Sequence, residues 1–187
     1  MTELRIKNMV CDRCLRTVQR LLENLGFTLE TVTLGRVVVK KWPANLSRAV
    51  VDTALKSEGF ALLDDPKQML VEQVKALLVN EVNYKAGRPA HQNVSAYLSQ
   101  KLGYDYTYLS HLFSATEGTT IERYLIALKV ERAKALLQDG QQSIGEIAFD
   151  LGYSSVPHFT NQFKSVTGQT PGQYKKEPVG RQSIDEV

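Results

Sequence analysis

The chain has 187 residues, of which 43% are hydrophobic, 23% charged and 8% aromatic. This ordinary globular composition excludes a collagen-like chain, long disorder and low-complexity polar tracts. The formal net charge is +3, with 10 basic and 8 acidic side chains in residues 1–65 and 13 and 12 in the rest. Neither half is a polybasic block, so composition alone does not reveal whether the partner is nucleic acid.

The sequence contains no segment typical of membrane proteins or secreted proteins. No apolar run approaches the roughly 20 residues needed to cross a bilayer, and the first residues lack the order of a signal peptide. We therefore expect a cytoplasmic protein without membrane contact. The two cysteines, Cys11 and Cys14, are too few to stabilise a secreted fold. Their Cys-x-x-Cys spacing in a reducing compartment indicates metal or thiol chemistry.

Short β-type runs and helical patterns alternate up to residue 65. Residues 4–7 alternate apolar and polar side chains, and apolar residues recur at helical spacing from Cys14 to a stop at Gly26. The remaining elements are predicted as strands over 28–33 and 36–40, a helix over 47–58 and a strand over 60–63. This β-α-β-β-α-β order predicts a ferredoxin-like domain, and the fold class as α+β.

The sequence Asp64-Asp65-Pro66 is typical of a helix start, because carboxylates cap a helix and proline suits its first position. We place a domain boundary here, between domains over 1–65 and 66–176, and expect the polar tail 177–187 to be frayed. Beyond residue 66 the apolar residues follow helical spacing, with a break at residues 86–89. The second domain is therefore predicted to be all-α.

The second domain contains an internal repeat with an offset of 50 residues. Phe113, Gly118, Thr120 and Tyr124 recur as Phe163, Gly168, Thr170 and Tyr174. Each copy has a helix ending at Leu-Gly-Tyr, a short polar turn and a second helix, which is helix-turn-helix order, and residues 120–139 predict a long helix between the copies. The alternative to DNA-binding units is that the paired helical hairpins pack a helical bundle or form a protein-binding solenoid. However, the helix through Phe159 and Phe163 also carries a polar face that suits a DNA major groove.

Two segments carry a recognisable motif, LSHLFSATEGTTIERYLIALKVERAKALL and IGEIAFDLGYSSVPHFTNQFKSVTGQTPGQYKK. Over residues 70–176 the chain resembles the DNA-binding domain of AraC/XylS-type bacterial transcription regulators. In that family two helix-turn-helix units on a linking helix place two recognition helices in successive major grooves of double-stranded DNA. The resemblance implies DNA-binding residues at Thr107, Ser110, His111, Lys129, Ser155, Val156, Thr160, Asn161 and Lys164.

The chain departs from the family pattern at two positions, of which the first is Lys129, where the family often has arginine on the linking helix. Ser114 stands where the family often has a basic residue, whereas the second unit keeps Lys164. Fewer phosphate contacts weaken the salt-dependent part of DNA affinity. We therefore expect affinity to depend on the second unit or on a homodimer, and RNA polymerase is a further candidate partner.

The sequence Met9-Val10-Cys11-Asp12-Arg13-Cys14 lies between the first predicted strand and the first predicted helix. Together with the element order over residues 3–63, it resembles the heavy-metal-associated fold of copper chaperones and metal-pumping ATPases. The resemblance makes Cys11 and Cys14 candidate metal ligands. Two soft thiolates suit linear Cu(I) better than tetrahedral Zn(II), because Zn(II) normally binds four ligands. The three histidines that could complete a zinc site, His91, His111 and His158, lie in the other predicted domain.

Two alternatives for the cysteine pair stay open: a thiol-disulfide switch, or inert thiols in a domain used for dimerisation or partner docking. The chain lacks nucleophile-elbow, zinc-protease, P-loop and dinucleotide motifs, so we do not expect an enzyme. The sequence predicts a DNA-binding transcription regulator that responds to a thiophilic metal or to redox state, and needs no cofactor for DNA binding. The alternative is a metal-trafficking or metal-buffering protein whose helical half docks a partner protein.

Overall fold

A computed structural model describes residues 2–84 and 92–177, in which a small antiparallel sheet with two helices precedes an all-helical region. The first region contains β1 (Thr2–Lys7), α1 (Asp12–Asn24), β2 (Thr28–Thr33), β3 (Arg36–Lys41), α2 (Arg48–Ser57) and β4 (Ala61–Leu62). The second contains α3 (Pro66–Tyr84), α4 (Val94–Leu102), α5 (Tyr106–Glu117), α6 (Ile121–Asp139), α7 (Ile144–Asp150), α8 (Val156–Thr167) and α9 (Pro171–Lys176). The α+β class is confirmed. The predicted break at 86–89, His91 and most of the tail, 178–187, lie outside the described residues.

The first region, which we call the sheet unit, is built on strands in the order β2-β3-β1-β4. All the described strand pairs are antiparallel. Alternate residues of β1, Leu4 and Ile6, are fully buried, as the alternating pattern predicts. They pack in one apolar core with Val18 and Leu22 of α1 and with residues of α2. Both helices therefore cover the same face of the sheet.

The structure corrects two boundaries in the sheet unit. Helix α1 begins at Asp12, earlier than the apolar spacing predicts, because the Cys11 sulfur caps it by accepting a hydrogen bond from the Cys14 backbone N–H at 3.3 Å. Cys14 therefore lies inside the first helical turn. Strand β4 is shorter than predicted, because the N–H of Phe60 is donated to the carbonyl of Leu55 at the end of α2, at 2.9 Å.

The helical region repeats one packing arrangement, as the internal repeat predicts. Helices α3, α4 and α5 form the first unit, and α6, α7 and α8 form the second. Phe113 of α5 and Phe163 of α8 occupy matching positions, and both are fully buried. Helix α6, 19 residues long, also packs against α5 and so connects the units. Among the described helices, none combines the length and apolar character required to cross a membrane.

The sheet unit is docked on α3 through residues 8–11, which we call the thiol loop. Val10 is 3% exposed and belongs to the core of the helical region. On one side of it the N–H of Asn8 is donated to Oε2 of Glu72, at 3.3 Å. On the other, the Tyr84 hydroxyl is hydrogen-bonded to the Asp12 carboxylate, which raises the pKa of Tyr84 to about 12. The loop that carries Cys11 is thus held along α3.

We expect Val10→Ala to destabilise the helical region as well as the sheet unit, by about 2 kcal/mol, because it removes two buried methyl groups and leaves a cavity. Unfolding in urea can be followed by far-UV circular dichroism for the helices and by fluorescence of Trp42, the single tryptophan. The matched control is Val51→Ala, which makes the same deletion inside the core of the sheet unit. A Val10→Ala protein whose helical transition keeps the wild-type midpoint would contradict the docking role of Val10.

Candidate functional site

Helix α8 has a buried aromatic side and an exposed polar side. Phe159 and Phe163 are fully buried, with ring centroids 5.7 Å apart. Asn161 and Lys164 are exposed on the other side, and Thr160 lies partly exposed at its edge. Since the two phenylalanines fix the rotation of α8 against the rest of the unit, these three polar side chains face outward together, as the sequence predicts.

The start of α8 is fixed by local hydrogen bonds. Ser155 is the N-cap residue, and its hydroxyl accepts a hydrogen bond from the His158 backbone N–H at 3.3 Å. The imidazole of His158 packs edge-on against Tyr153, with ring centroids 5.3 Å apart. Val156 is 42% exposed in the first turn. The predicted contacts Ser155 and Val156 therefore lie at the exposed N-terminal end of α8, where Ser155 also has a structural role.

Helix α5 presents the equivalent surface in the first unit. Leu109 and Phe113 are buried, whereas Thr107 and His111 are exposed and Ser110 is half-buried. We call the outward sets on the two helices the reading faces, made up of Thr107, Ser110 and His111 on α5 and Thr160, Asn161 and Lys164 on α8. The structure thus groups most of the predicted DNA-binding residues on two equivalent helices.

Lys129 lies apart from the reading faces. It is half-buried on α6, and its Nζ lies 5.1 Å from the ring centroid of Tyr153. This cation–π contact places the ammonium beside the turn between α7 and α8. The Lys129 side chain is therefore directed at Tyr153 in the turn before α8.

Exposed aromatic residues beside α5 were not anticipated from the sequence. Tyr104 and Tyr108 stack with ring centroids 5.5 Å apart, and they are 48% and 43% exposed. On α7, Phe149 is 81% exposed. Tyr104 precedes the N-cap residue Asp105 and so lies outside α5, and for this reason no helical spacing in the sequence marks the pair. Tyr108 enlarges the outward surface of α5 next to Thr107.

Cys11 and Cys14 lie together at the start of α1. Their sulfur atoms are 2.6 Å apart, and neither forms a disulfide. Cys14 is 4% exposed, whereas Cys11 is partly exposed. Within residues 2–84 and 92–177 no cluster of three or more potential metal ligands occurs.

Residues 98–177 match the sequence profile of the helix-turn-helix domain family. The Msm operon regulatory protein of Streptococcus mutans is 29% identical over 80 residues, 43% of this chain and 29% of that protein. The melibiose operon regulatory protein of Escherichia coli K12 is 23% identical over 172 residues, 80% of this chain and 56% of that protein. The chain therefore spans less than two thirds of the length of either relative.

A solved structure shares the fold of the helical region. The C-terminal domain of AraT, a response regulator from Geobacillus stearothermophilus, superposes with a TM-score of 0.50 and 22% identity. The superposition covers 63% of this chain and 94% of that domain. The likeness confirms the fold of the helical region.

We expect Asp105→Asn to reduce the loss of stability in acid. The Asp105 carboxylate caps α5 by accepting a hydrogen bond from the Thr107 N–H at 2.7 Å, and this bond lowers the pKa of Asp105. A carboxyl whose pKa is lowered by folding stabilises the protein above its unfolded pKa of about 4, and the effect is lost as the pH falls further. Asparagine also caps helices but does not titrate in this range.

Urea midpoints at pH 5, 4 and 3 measure this effect. The difference between Asp105→Asn and wild type should shift in favour of the variant as the pH falls. Glu146→Gln is a parallel case, because hydrogen bonds from Ser143 at the start of α7 lower the pKa of Glu146. Parallel pH profiles for Asp105→Asn and wild type would contradict the proposed contribution of the charged cap.

Proposed function

We propose that this chain is a sequence-specific transcription regulator with a helix-turn-helix DNA-binding domain of the AraC type. The match of residues 98–177 to the helix-turn-helix domain family supports this proposal. The observation that carries the proposal is the pair of reading faces, each held outward by a buried aromatic or aliphatic stripe on an equivalent helix. Such a helix fits a DNA major groove, which carries the pattern that distinguishes base pairs.

The linking helix has a suitable length for binding along one face of DNA. Its 19 residues extend over roughly 28 Å at 1.5 Å per residue, close to the ~34 Å repeat of B-DNA. Helix α5 ends just before α6 begins, and α7 and α8 follow the other end. This arrangement supports the binding of α5 and α8 in successive major grooves.

The side chains on the reading faces have the chemistry for both base and phosphate contacts. The Asn161 amide can pair with an adenine edge, and the hydroxyls of Ser110 and Thr160 accept several bases. Val156 can contact a thymine methyl group, and Lys164 can bind a phosphate. Ser114 occupies the position of Lys164 in the first unit. The second unit is therefore the stronger anchor in this proposal.

We propose further that the sheet unit makes DNA binding responsive to a thiophilic metal, with Cu(I) as the first candidate, or to thiol oxidation. Cys11 and Cys14 supply two soft sulfur donors, which suit two-coordinate Cu(I), whereas tetrahedral Zn(II) needs further ligands. The βαββαβ order agrees with a heavy-metal-associated domain. Cys11 and Cys14 would be the ligands of the bound metal, and the metal would compensate the negative charge of the two thiolates. Helix α3 holds the loop that carries Cys11.

A second candidate function is metal trafficking, with the helical region docked on a protein. The 81% exposure of Phe149 favours this reading, because an exposed aromatic residue can anchor a protein contact. A gel-shift titration separates the two functions. A regulator binds one selected duplex more tightly than random duplex, with an affinity that falls steeply as salt increases, whereas a trafficking protein shows no such preference.

We expect Asn161→Ala to weaken binding to a duplex selected from a random pool by about 1 to 3 kcal/mol and to relax the preference at one base pair. The loss of a base contact changes specificity, whereas the loss of a phosphate contact weakens all sequences alike. Asn24→Ala on the exposed end of α1 is the matched control, since it makes the same change away from the reading faces. If Asn161→Ala binds every duplex like wild type, the assignment of the α8 reading face is wrong.

We expect the double variant Cys11→Ser/Cys14→Ser to lose Cu(I) binding but to keep DNA binding in the absence of metal. Anaerobic Cu(I) titration against a competing chelator measures the stoichiometry, expected to be one per wild-type chain. Fluorescence anisotropy with the selected duplex then measures DNA affinity with and without Cu(I). A wild-type affinity that stays the same with Cu(I) and after thiol oxidation would contradict the sensory role of the sheet unit.

A further inference from the structure

Three charged side chains meet in the interior of the first helix-turn-helix unit. Nζ of Lys75 lies 3.3 Å from Oε1 of Glu72, on the same helix, and 3.3 Å from Oε2 of Glu117, on α5. Their side chains are 9%, 6% and 18% exposed. We call this set the charge cluster. Because buried charges are costly without partners, each member restricts the positions available to the others.

The charge cluster contacts the thiol loop at one end. Oε2 of Glu72 accepts the Asn8 backbone N–H, three residues before Cys11. Asn8 has a left-handed backbone conformation, with φ of 67°, and its side-chain amide donates to the Gly59 carbonyl at 3.0 Å. A change in the conformation of the thiol loop therefore moves a donor that a buried carboxylate needs.

At its other end the charge cluster reaches the first reading helix. Glu117 is the last residue of α5, directly before the left-handed Gly118 that ends the helix. The Lys75 ammonium also lies 5.9 Å from the ring centroid of Tyr124, on the linking helix α6. Lys75 thus joins α3 to both the helix that reads DNA and the helix that connects the units.

The second unit also has a buried Glu-Lys pair, but its surroundings differ from those of the first. Glu131 and Lys134 of α6 have the same three-residue spacing, with Oε1 and Nζ 2.6 Å apart. The position of Glu117 is occupied in the second repeat by the uncharged Thr167. Within the described residues, Oε2 of Glu131 has no hydrogen-bond partner, whereas Oε2 of Glu72 accepts from the sheet unit. The molecule therefore contains an internal control for the first unit.

A cavity of about 200 Å³ borders Glu72 where the sheet unit meets α3. Its lining includes Arg5 of β1, Gly35 of the turn between β2 and β3, and Leu77 of α3. This space beside Glu72 leaves the neighbouring side chains room to change conformation.

We propose that Glu72 is a positioning residue that transmits the state of the thiol loop, through Lys75 and Glu117, to reading helix α5 and leaves α8 unaffected. This inference rests on the proposed function, because it specifies how the sheet unit regulates DNA binding. Oxidation or metal binding at Cys11 and Cys14 alters the Asn8–Glu72 contact, and the charge cluster then changes the position of the C-terminal end of α5. The regulated step is the binding of α5 to its half of the DNA site, which we call the first half-site.

The test compares the dithiol protein with its disulfide form. Diamide takes two electrons and two protons from Cys11 and Cys14 and becomes the corresponding hydrazine, while the two sulfurs form a bond. Hydroxyl-radical footprinting on a duplex selected by the reduced full chain reports each half-site separately. Amide hydrogen exchange of residues 114–118 and 164–168, measured without DNA, reports the ends of α5 and α8 directly.

The variants are Glu72→Gln and the matched control Glu131→Gln, each of which removes one charge from a buried Glu-Lys pair. In wild type and in Glu131→Gln, oxidation should change affinity at the first half-site about 5-fold or more, a typical size for coupling between sites. It should also change hydrogen exchange at 114–118 and leave 164–168 unchanged. In Glu72→Gln both responses should fall below about 2-fold, well under that range. If Glu72→Gln folds poorly, Glu117→Gln replaces it, because Glu117 is less buried than Glu72. The expected loss of both responses is the same.

The outcomes separate this inference from the proposed function. If the chain selects no duplex but exchange at 114–118 responds to oxidation through Glu72, DNA binding is wrong and the coupling stands. If DNA is bound but wild type shows no response at 114–118, or if Glu72→Gln responds like wild type, the coupling is overturned. Equal responses at 114–118 and 164–168 also overturn it, because the charge cluster reaches the first unit alone.

Discussion

Helix α3 packs against both halves of the molecule, and the relation between the two halves depends on this helix. Its Val74 and Leu78 lie in the core of the helical region, and Val10 of the thiol loop packs into that same core. Asn8 of the thiol loop is also hydrogen-bonded to Glu72 of α3. Only residues 63–65 separate β4 from α3, a connection too short to act as a flexible linker. The sheet unit therefore cannot move far without disturbing α3, which packs against it.

The two helix-turn-helix units share a frame but present different chemistry. Their buried positions correspond, as in Phe113 and Phe163, because both units must pack a reading helix against a supporting helix. Their exposed positions differ: His111 corresponds to Asn161, and Ser114 to Lys164. Under the proposed function, these unlike surfaces on a common scaffold would recognise two different halves of a DNA site, since specificity depends on the groups that reach the base edges.

The buried Glu-Lys pairs are better explained by position than by stability. Desolvation of two charges offsets most of their attraction, so an apolar pair of similar volume often stabilises a protein equally well. In the first unit the pair Glu72–Lys75 joins the thiol loop to Glu117 at the end of α5. In the second unit the position of Glu117 is occupied by the uncharged Thr167. The contacts of Lys75 restrict the relative positions of α3, α5 and α6. An apolar contact restricts them less, because it has no preferred direction.

The sequence by itself determined the local elements, since strand alternation in β1, helical spacing in α6 and the 50-residue repeat depend on neighbours along the chain. It also predicted the outward face of α8, because Phe159 and Phe163 mark the buried side. It missed the start of α1, where the Cys11 sulfur acts as a cap, and the exposed stack of Tyr104 and Tyr108. Only the tertiary structure decided that Val10 enters the helical core and that Glu72 meets Asn8, because these contacts join residues about 60 positions apart and no local pattern encodes them.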